Sequence, residues 1–172
     1  MDAHETYEGF IRLEDRSAEM YLELSVRWVD NPALRWFWVA MAMEEKQHAG
    51  MLQHCWEFGV FAGELPSREQ FERLEALCSR LEKEIANPDL TLDDAFDLAI
   101  RLESSEINDV YSKLTAPIEG PAHVMRKKME LSVASHFEKL RSAARKFGVS
   151  AEVQARMTRL LTPDGSPHDA PR

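Results

Sequence analysis

The tetrapeptide Ile-Arg-Leu-Glu occurs twice in this chain, at Ile11–Glu14 and at Ile100–Glu103. Each copy is followed by a histidine at a matching place, His48 after the first and His136 after the second. Glu14 and Glu103 lie 89 residues apart, His48 and His136 lie 88 apart, so the unit that repeats is a pair of segments. A carboxylate on one segment and an imidazole on the next, twice over, is a strong constraint. Such groups are costly inside a core unless they are paired or bind an ion, so the two units must fold to bring them together.

The periodicity around these residues is helical. Phe10, Leu13, Met20, Tyr21 and Leu24 recur at helical spacing and predict a first helix from about Glu5 to Trp28. Asp30-Asn31-Pro32 ends it and starts a second helix, with Asn31 as N-cap and Pro32 in the first turn. That helix is expected to run to about Phe61, ended by Gly63 and Pro66. Ser67 and Gln70 form a capping-box pattern for a shorter amphipathic helix from Arg68 to about Ala86, the crossover between the halves. A third long helix is expected from Thr91 to about Leu114, a fourth from Ala122 to Phe147, and a short terminal helix from Ser150 to Leu161. Gly148 suits the stop after the fourth. No run alternates with period two, so the fold class is all-α: an antiparallel four-helix bundle with a mid-chain crossover helix and a short C-terminal helix. Residues 1–161 read as a single domain and residues 162–172, polar and rich in Pro, as a disordered tail.

Heights along these helices test whether the polar residues can meet. Glu14 precedes the Asp30 turn by 16 residues and Glu45 follows Pro32 by 13. At about 1.5 Å per residue they stand roughly 24 Å and 20 Å from the same corner. Glu103 lies 12 residues before Thr115, and position 133 lies 12 after Pro121. All four positions fall near one plane. Glu45 and His48 are three apart, so both can reach one ion from one helix face. Glu103 and Glu106 have the same spacing. A core site of carboxylates and imidazoles built on facing helices suits iron or manganese. Helix four is incomplete: alignment of His136 with His48 sets Val133 opposite Glu45, and one carboxylate is missing.

The stretches Leu13-Glu14 through Ala18 and Tyr21, Met43-Glu44-Glu45-Lys46-Gln47-His48-Ala49, and Glu103 with Glu106 resemble the rubrerythrin branch of the ferritin-like superfamily, over about Glu5 to Phe147. The resemblance implies a ferritin-like bundle with a non-haem di-iron site that reacts with peroxide or dioxygen. It implies Glu14, Glu45, His48, Glu103, Glu106 and His136 as ligands, with Glu45 bridging. Iron is the metal implied, as one or two ions, with manganese and zinc as alternatives. No rubredoxin-type Cys-x-x-Cys pair occurs, so electrons would come from an external donor such as a rubredoxin-like protein or a reductase. Val133 stands where the second bridging glutamate is expected. The alternative is therefore a ferritin-like protein with an eroded site, serving as a metal-binding or structural dimeric module without redox turnover.

Other residues read more plainly. Tyr21 and Tyr111 are candidates to hydrogen-bond a ligand carboxylate, with plain core packing as the rival. Glu44 reads as surface. Trp28, Trp36, Phe37 and Trp38 read as core plus a homodimer surface, because so many aromatics in one region cannot all face inward. Met41, Met43 and Met51 read as gap-filling core, and His4, His54 and His123 receive no role. The net charge of −9 gives no basic face for nucleic acid. No long apolar run or signal-peptide pattern is present, and Cys55 and Cys78 read as buried thiols, so no membrane span and a cytoplasmic location are expected.

Overall fold

The computed structural model describes residues 1–105, 107–117 and 121–161, the side chains at 108, 109, 121, 122, 125, 126, 128–135, 160 and 161 excepted. Among the described residues it is all-helical, with no strand. The helices are α1 Ala3–Arg27, α2 Pro32–Phe58, α3 Arg68–Ile85, α4 Leu92–Glu103, α5 Ile107–Thr115, α6 Pro121–Phe147 and α7 Ala151–Leu161. No helix among the described residues is long and apolar enough to cross a membrane. Residues 162–172 lie outside the described residues.

Local chemistry sets the ends. Asp2 and Glu5 cap α1 reciprocally, each side chain accepting from the other's backbone N–H. Asn31 accepts from the Leu34 N–H and Pro32 opens α2. Thr91 and Asp94 form a second reciprocal cap at α4. The stop of α2 comes earlier than Gly63: Gly59 takes the left-handed conformation at φ 64°, and the Val60 N–H returns to the Cys55 carbonyl. A left-handed residue after the last turn is what a glycine does at little cost.

The third long helix is two helices. α4 ends at Glu103, and α5 starts at Ile107. At the break the Ser104 N–H donates to Ile100 and the Ser105 N–H to Leu102, while the Ser105 hydroxyl accepts from the Ile107 N–H at 3.4 Å. Serine side chains that bond nearby backbone groups offer the chain an alternative to the helical ladder, and two in succession fall here.

α1 packs most extensively against α2, forming a helical hairpin across the Trp28–Asn31 turn. α6 lies against α2 and α4, α5 touches α1, α2, α4 and α6, and α3 packs on α1 and α4. One continuous core includes Phe10, Leu13 and Leu24 of α1, Leu34, Trp38 and Leu52 of α2, Phe96 of α4 and Leu140 of α6. Each such side chain contributes about 1.5–3 kcal/mol on burial, which offsets the cost of enclosing charged groups among them. Of the aromatic group near the first corner, Trp38 is fully buried, Trp28 and Phe37 are half-buried, and Trp36 is 68% exposed. Met41 and Met51 are in the core, but Met43 is exposed. Cys55 and Cys78 are free and buried, and burial pushes both thiols up to about 11.

Several contacts fasten α3 to α1, among them the ion pair from Arg16 to Glu82 at 2.6 Å. The Arg27 guanidinium donates to the carbonyls of Ile85, Asn87 and Pro88, satisfying groups at the open end of α3. Near the other end Gly9 meets the Phe71 ring so closely that an added Cβ would stand 2.7 Å from Cε2. Gly9→Ala therefore must displace the ring, and is expected to cost about 1–3 kcal/mol of stability. Urea unfolding of the variant measures it; an unchanged midpoint would show that the Phe71 ring swings aside at no cost.

Candidate metal centre

The two sequence units converge where α1, α2, α4 and α6 face one another. Glu14, Glu45, His48, Glu103 and His136 are all buried there, each no more than 5% exposed. Glu14, Glu45 and His48 form one trio, and Glu45, Glu103 and His136 form another, the ligand atoms of each lying within 4.8 Å of one another. Glu45 belongs to both. Its height on α2 places it between the two imidazoles, whose ring centroids are 5.5 Å apart.

Both histidines present Nδ1 to the carboxylates. His48 Nδ1 lies 3.0 Å from Glu45 Oε2 and 3.8 Å from Glu14 Oε2. His136 Nδ1 lies 2.9 Å from Glu103 Oε2 and 3.6 Å from Glu45 Oε1. Ligand atoms around an ion with bonds of about 2.1 Å stand roughly 3–3.5 Å apart, so small closures would convert each trio into a partial coordination shell. Both oxygens of Glu14, Glu45 Oε1 and His48 Nε2 are buried with no hydrogen-bond partner among the described residues. Buried polar atoms are ordinarily paired. Orphaned carboxylate oxygens in a site of carboxylates and imidazoles fit a divalent cation.

The protonation balance points the same way. Burial raises the Glu45 carboxyl, Glu103 adds to the rise, and the result is about 8. Burial opposes the charged form of His48, but Glu14 and Glu45 outweigh it and lift the ring to about 9. For His136 burial is likewise outweighed, by Glu103 and Glu44, and the ring rises to about 10. Near neutral pH the cluster without an ion therefore holds protons on groups that a cation would have to displace.

Tyr21 donates from its hydroxyl to Glu103 Oε1 at 2.6 Å. Burial, with the Glu103 charge next, drives its phenol well above the ordinary value. The Tyr111 ring packs on His48 with centroids 4.6 Å apart. Tyr21→Phe deprives Oε1 of a buried carboxylate of the Tyr21 hydroxyl and is expected to cost about 1–3 kcal/mol, read as a lowered urea midpoint of the metal-free protein. An unaltered midpoint would mean that Glu103 finds another donor at once.

Glu44 is the residue that sequence reasoning misplaced. It is not a solvated surface group: its Oε2 accepts from His136 Nε2 at 2.6 Å, and both its oxygens accept from Lys139 Nζ at 2.7 Å. Burial alone would raise its carboxyl, but His136 and Lys139 overcome that and hold it near about 2. On a helical wheel Glu44 is about 100° from Glu45, and only the placement of α6 brings a partner to that side. The Lys139 position, one turn past His136, was the available signal. Glu106 and the side chain of Val133 lie outside the described residues.

Comparison with known protein families, with curated proteins and with solved structures gave no match.

Proposed function

We propose that this chain is a ferritin-like, rubrerythrin-type metalloprotein whose buried Glu/His centre binds iron and reacts with peroxide or dioxygen. The observation that carries the reading is the placement of Glu45 between two buried histidines, with Glu14 and Glu103 flanking and buried carboxylate oxygens left unpartnered among the described residues. The resemblance at Glu44-Glu45-Lys46-Gln47-His48 supplies the choice of iron. The antiparallel four-helix bundle of that class agrees with the packing of α1 on α2 and of α6 on both α2 and α4.

Glu14 and His48 would hold one ion, Glu103 and His136 a second, and Glu45 would bridge. Iron held there supplies one-electron chemistry toward the oxidant. The chain's own residues do the rest. The carboxylates balance cationic charge, Tyr21 fixes the rotation of Glu103 through its hydroxyl, and Glu44 accepts the hydrogen bond from His136 Nε2–H. The buried Trp38 ring stacks on Tyr21 and packs against Phe96, which backs Tyr21 with apolar surface. Electrons would come from an external rubredoxin-like protein or reductase. The exposed Val26, Val29, Trp36 and Met43 would serve a homodimer contact.

The test is metal stoichiometry after anaerobic loading with ferrous iron and removal of excess, followed by absorption spectra on adding peroxide. Retained iron with a spectral change supports the reading; no retained metal overturns it.

Val133 favours a second reading, an eroded centre that binds metal without turnover. Val133→Glu restores the carboxylate that the repeat expects one turn before His136. If the centre is a weakened two-ion site, the variant is expected to raise occupancy toward two ions per chain. Unchanged occupancy would count against a weakened two-ion site.

A further inference from the structure

The two trios share Glu45 but differ in what stands behind them. For His136 to offer the Nδ1 lone pair to a cation, its proton must sit on Nε2. Glu44 Oε2, 2.6 Å from that nitrogen, accepts the Nε2–H hydrogen bond and so fixes both the tautomer and the ring rotation. Lys139 holds both Glu44 oxygens in turn. Glu103, the carboxylate of the same trio, is fixed through its other oxygen by the Tyr21 hydroxyl.

Among the described residues the other trio has no such support. His48 Nε2 is buried without a partner, and so are both oxygens of Glu14. An ion on His48 Nδ1 would satisfy Glu14 but would leave a proton on Nε2 with no acceptor, so a desolvation penalty persists in the bound state. The repeat explains the difference. With His48 aligned on His136, the counterpart of Glu44 is Ser132, so the second unit supplies no carboxylate at that place.

We infer that the two subsites are unequal: the one formed by Glu45, Glu103 and His136 takes the first divalent ion, and Glu44 is the positioning residue that makes it so. The inference rests on the metal-centre reading and goes beyond it, by ordering the sites and giving a role to a residue that would touch no metal. A site whose ligands are already oriented loses less freedom on binding, and outer partners of metal-bound histidines typically carry about 10–100-fold in affinity.

The test is titration of the full-length, metal-free protein with Co²⁺, followed by its visible ligand-field absorption and by calorimetry. The expected result is a tight binding event lost in His136→Ala and kept, with its spectrum, in His48→Ala. Glu44→Ala is expected to weaken that event by about 10–100-fold and to shift its bands, leaving any weaker event unmoved. Glu44→Gln keeps an acceptor for Nε2 and should fall between. This graded pair, read on spectra and not on stability, separates positioning from a general loss of fold. A tight event that follows His48, two events of equal affinity, or an unshifted first event in both Glu44 variants would overturn the inference while leaving the metal centre intact. Absence of any Co²⁺ binding to the unsubstituted protein would remove the metal-centre reading itself, and this inference with it.

Discussion

Glu45→Ala is expected to abolish tight metal binding at both subsites in one step. Glu14 and His48 would keep two ligands between them, and so would Glu103 and His136, but Glu45 is the one residue common to the two trios. Loss of a partner outside the coordination shell already costs about 10–100-fold, so loss of a direct carboxylate ligand should cost at least about 100-fold at each subsite. Glu14→Ala and Glu103→Ala should each cost one ion at most. Elemental analysis of metal per chain after equilibrium with a slight excess of ion distinguishes the patterns. If Glu45→Ala retains one tightly held ion, the carboxylate is not shared, and the centre is two separate sites.

The second large effect is a reversal of the pH dependence of stability by metal. Glu45 has its carboxyl raised from 4.5 to about 8 in the folded protein. The folded state binds that proton more strongly, so its contribution is present below about pH 4.5 and is lost as pH rises to 8. His48 and His136 rise from 6.5 to about 9 and about 10; their contributions are full below pH 6.5 and vanish through those values. Glu44, lowered to about 2, works in the opposite sense, its contribution lost only as pH falls through that value. From about pH 5 to 10 the metal-free protein should therefore lose stability steadily. A divalent ion competes for the same sites with those protons, so its affinity should climb across the same window. At a thousand times the dissociation constant it adds about 4 kcal/mol, a rise in Tm of roughly 8–16 °C for a chain of this size. Calorimetric melts with and without Co²⁺ at pH 6 and pH 9 measure both slopes. A metal increment that is equal at the two pH values would show that binding displaces no protons from these groups.

Much of the architecture is legible in the chain because its punctuation is local. Asn31-Pro32, Ser67, Thr91 with Asp94, and Gly148 act within a turn of themselves, and the helix ends beside them fall where those residues put them. The convergence of Glu14, Glu45, His48, Glu103 and His136 is legible too, since a repeat of fixed offset on helices of fixed rise leaves little freedom. The break after Glu103 is not. Phe96, Ala99, Ile100, Glu103, Ile107, Val110, Tyr111 and Leu114 keep helical spacing straight through it, and all are buried. Hydrophobic periodicity reports which residues face the core, and that is the same whether the backbone between them is continuous or interrupted. Glu44 was lost for the complementary reason. Its role depends on Lys139 and His136, 95 and 92 residues away, and a pattern read along one helix holds no information about the face of another. Trp36 and Trp38 show the same limit: two apart on α2, one is exposed and the other is enclosed.

Tyr7 sits near the start of α1, fully buried, and its hydroxyl donates to the Leu114 carbonyl at 2.6 Å while accepting from the Ala62 N–H at 2.9 Å. Ala62 belongs to no helix, and an amide in a connecting loop would ordinarily exchange its hydrogen with solvent through small local openings. This one cannot be freed without separating the loop from the phenol of Tyr7. Its exchange is thus tied to the docking of the first turns of α1, and the connection from α2 to α3 is anchored to the beginning of the chain.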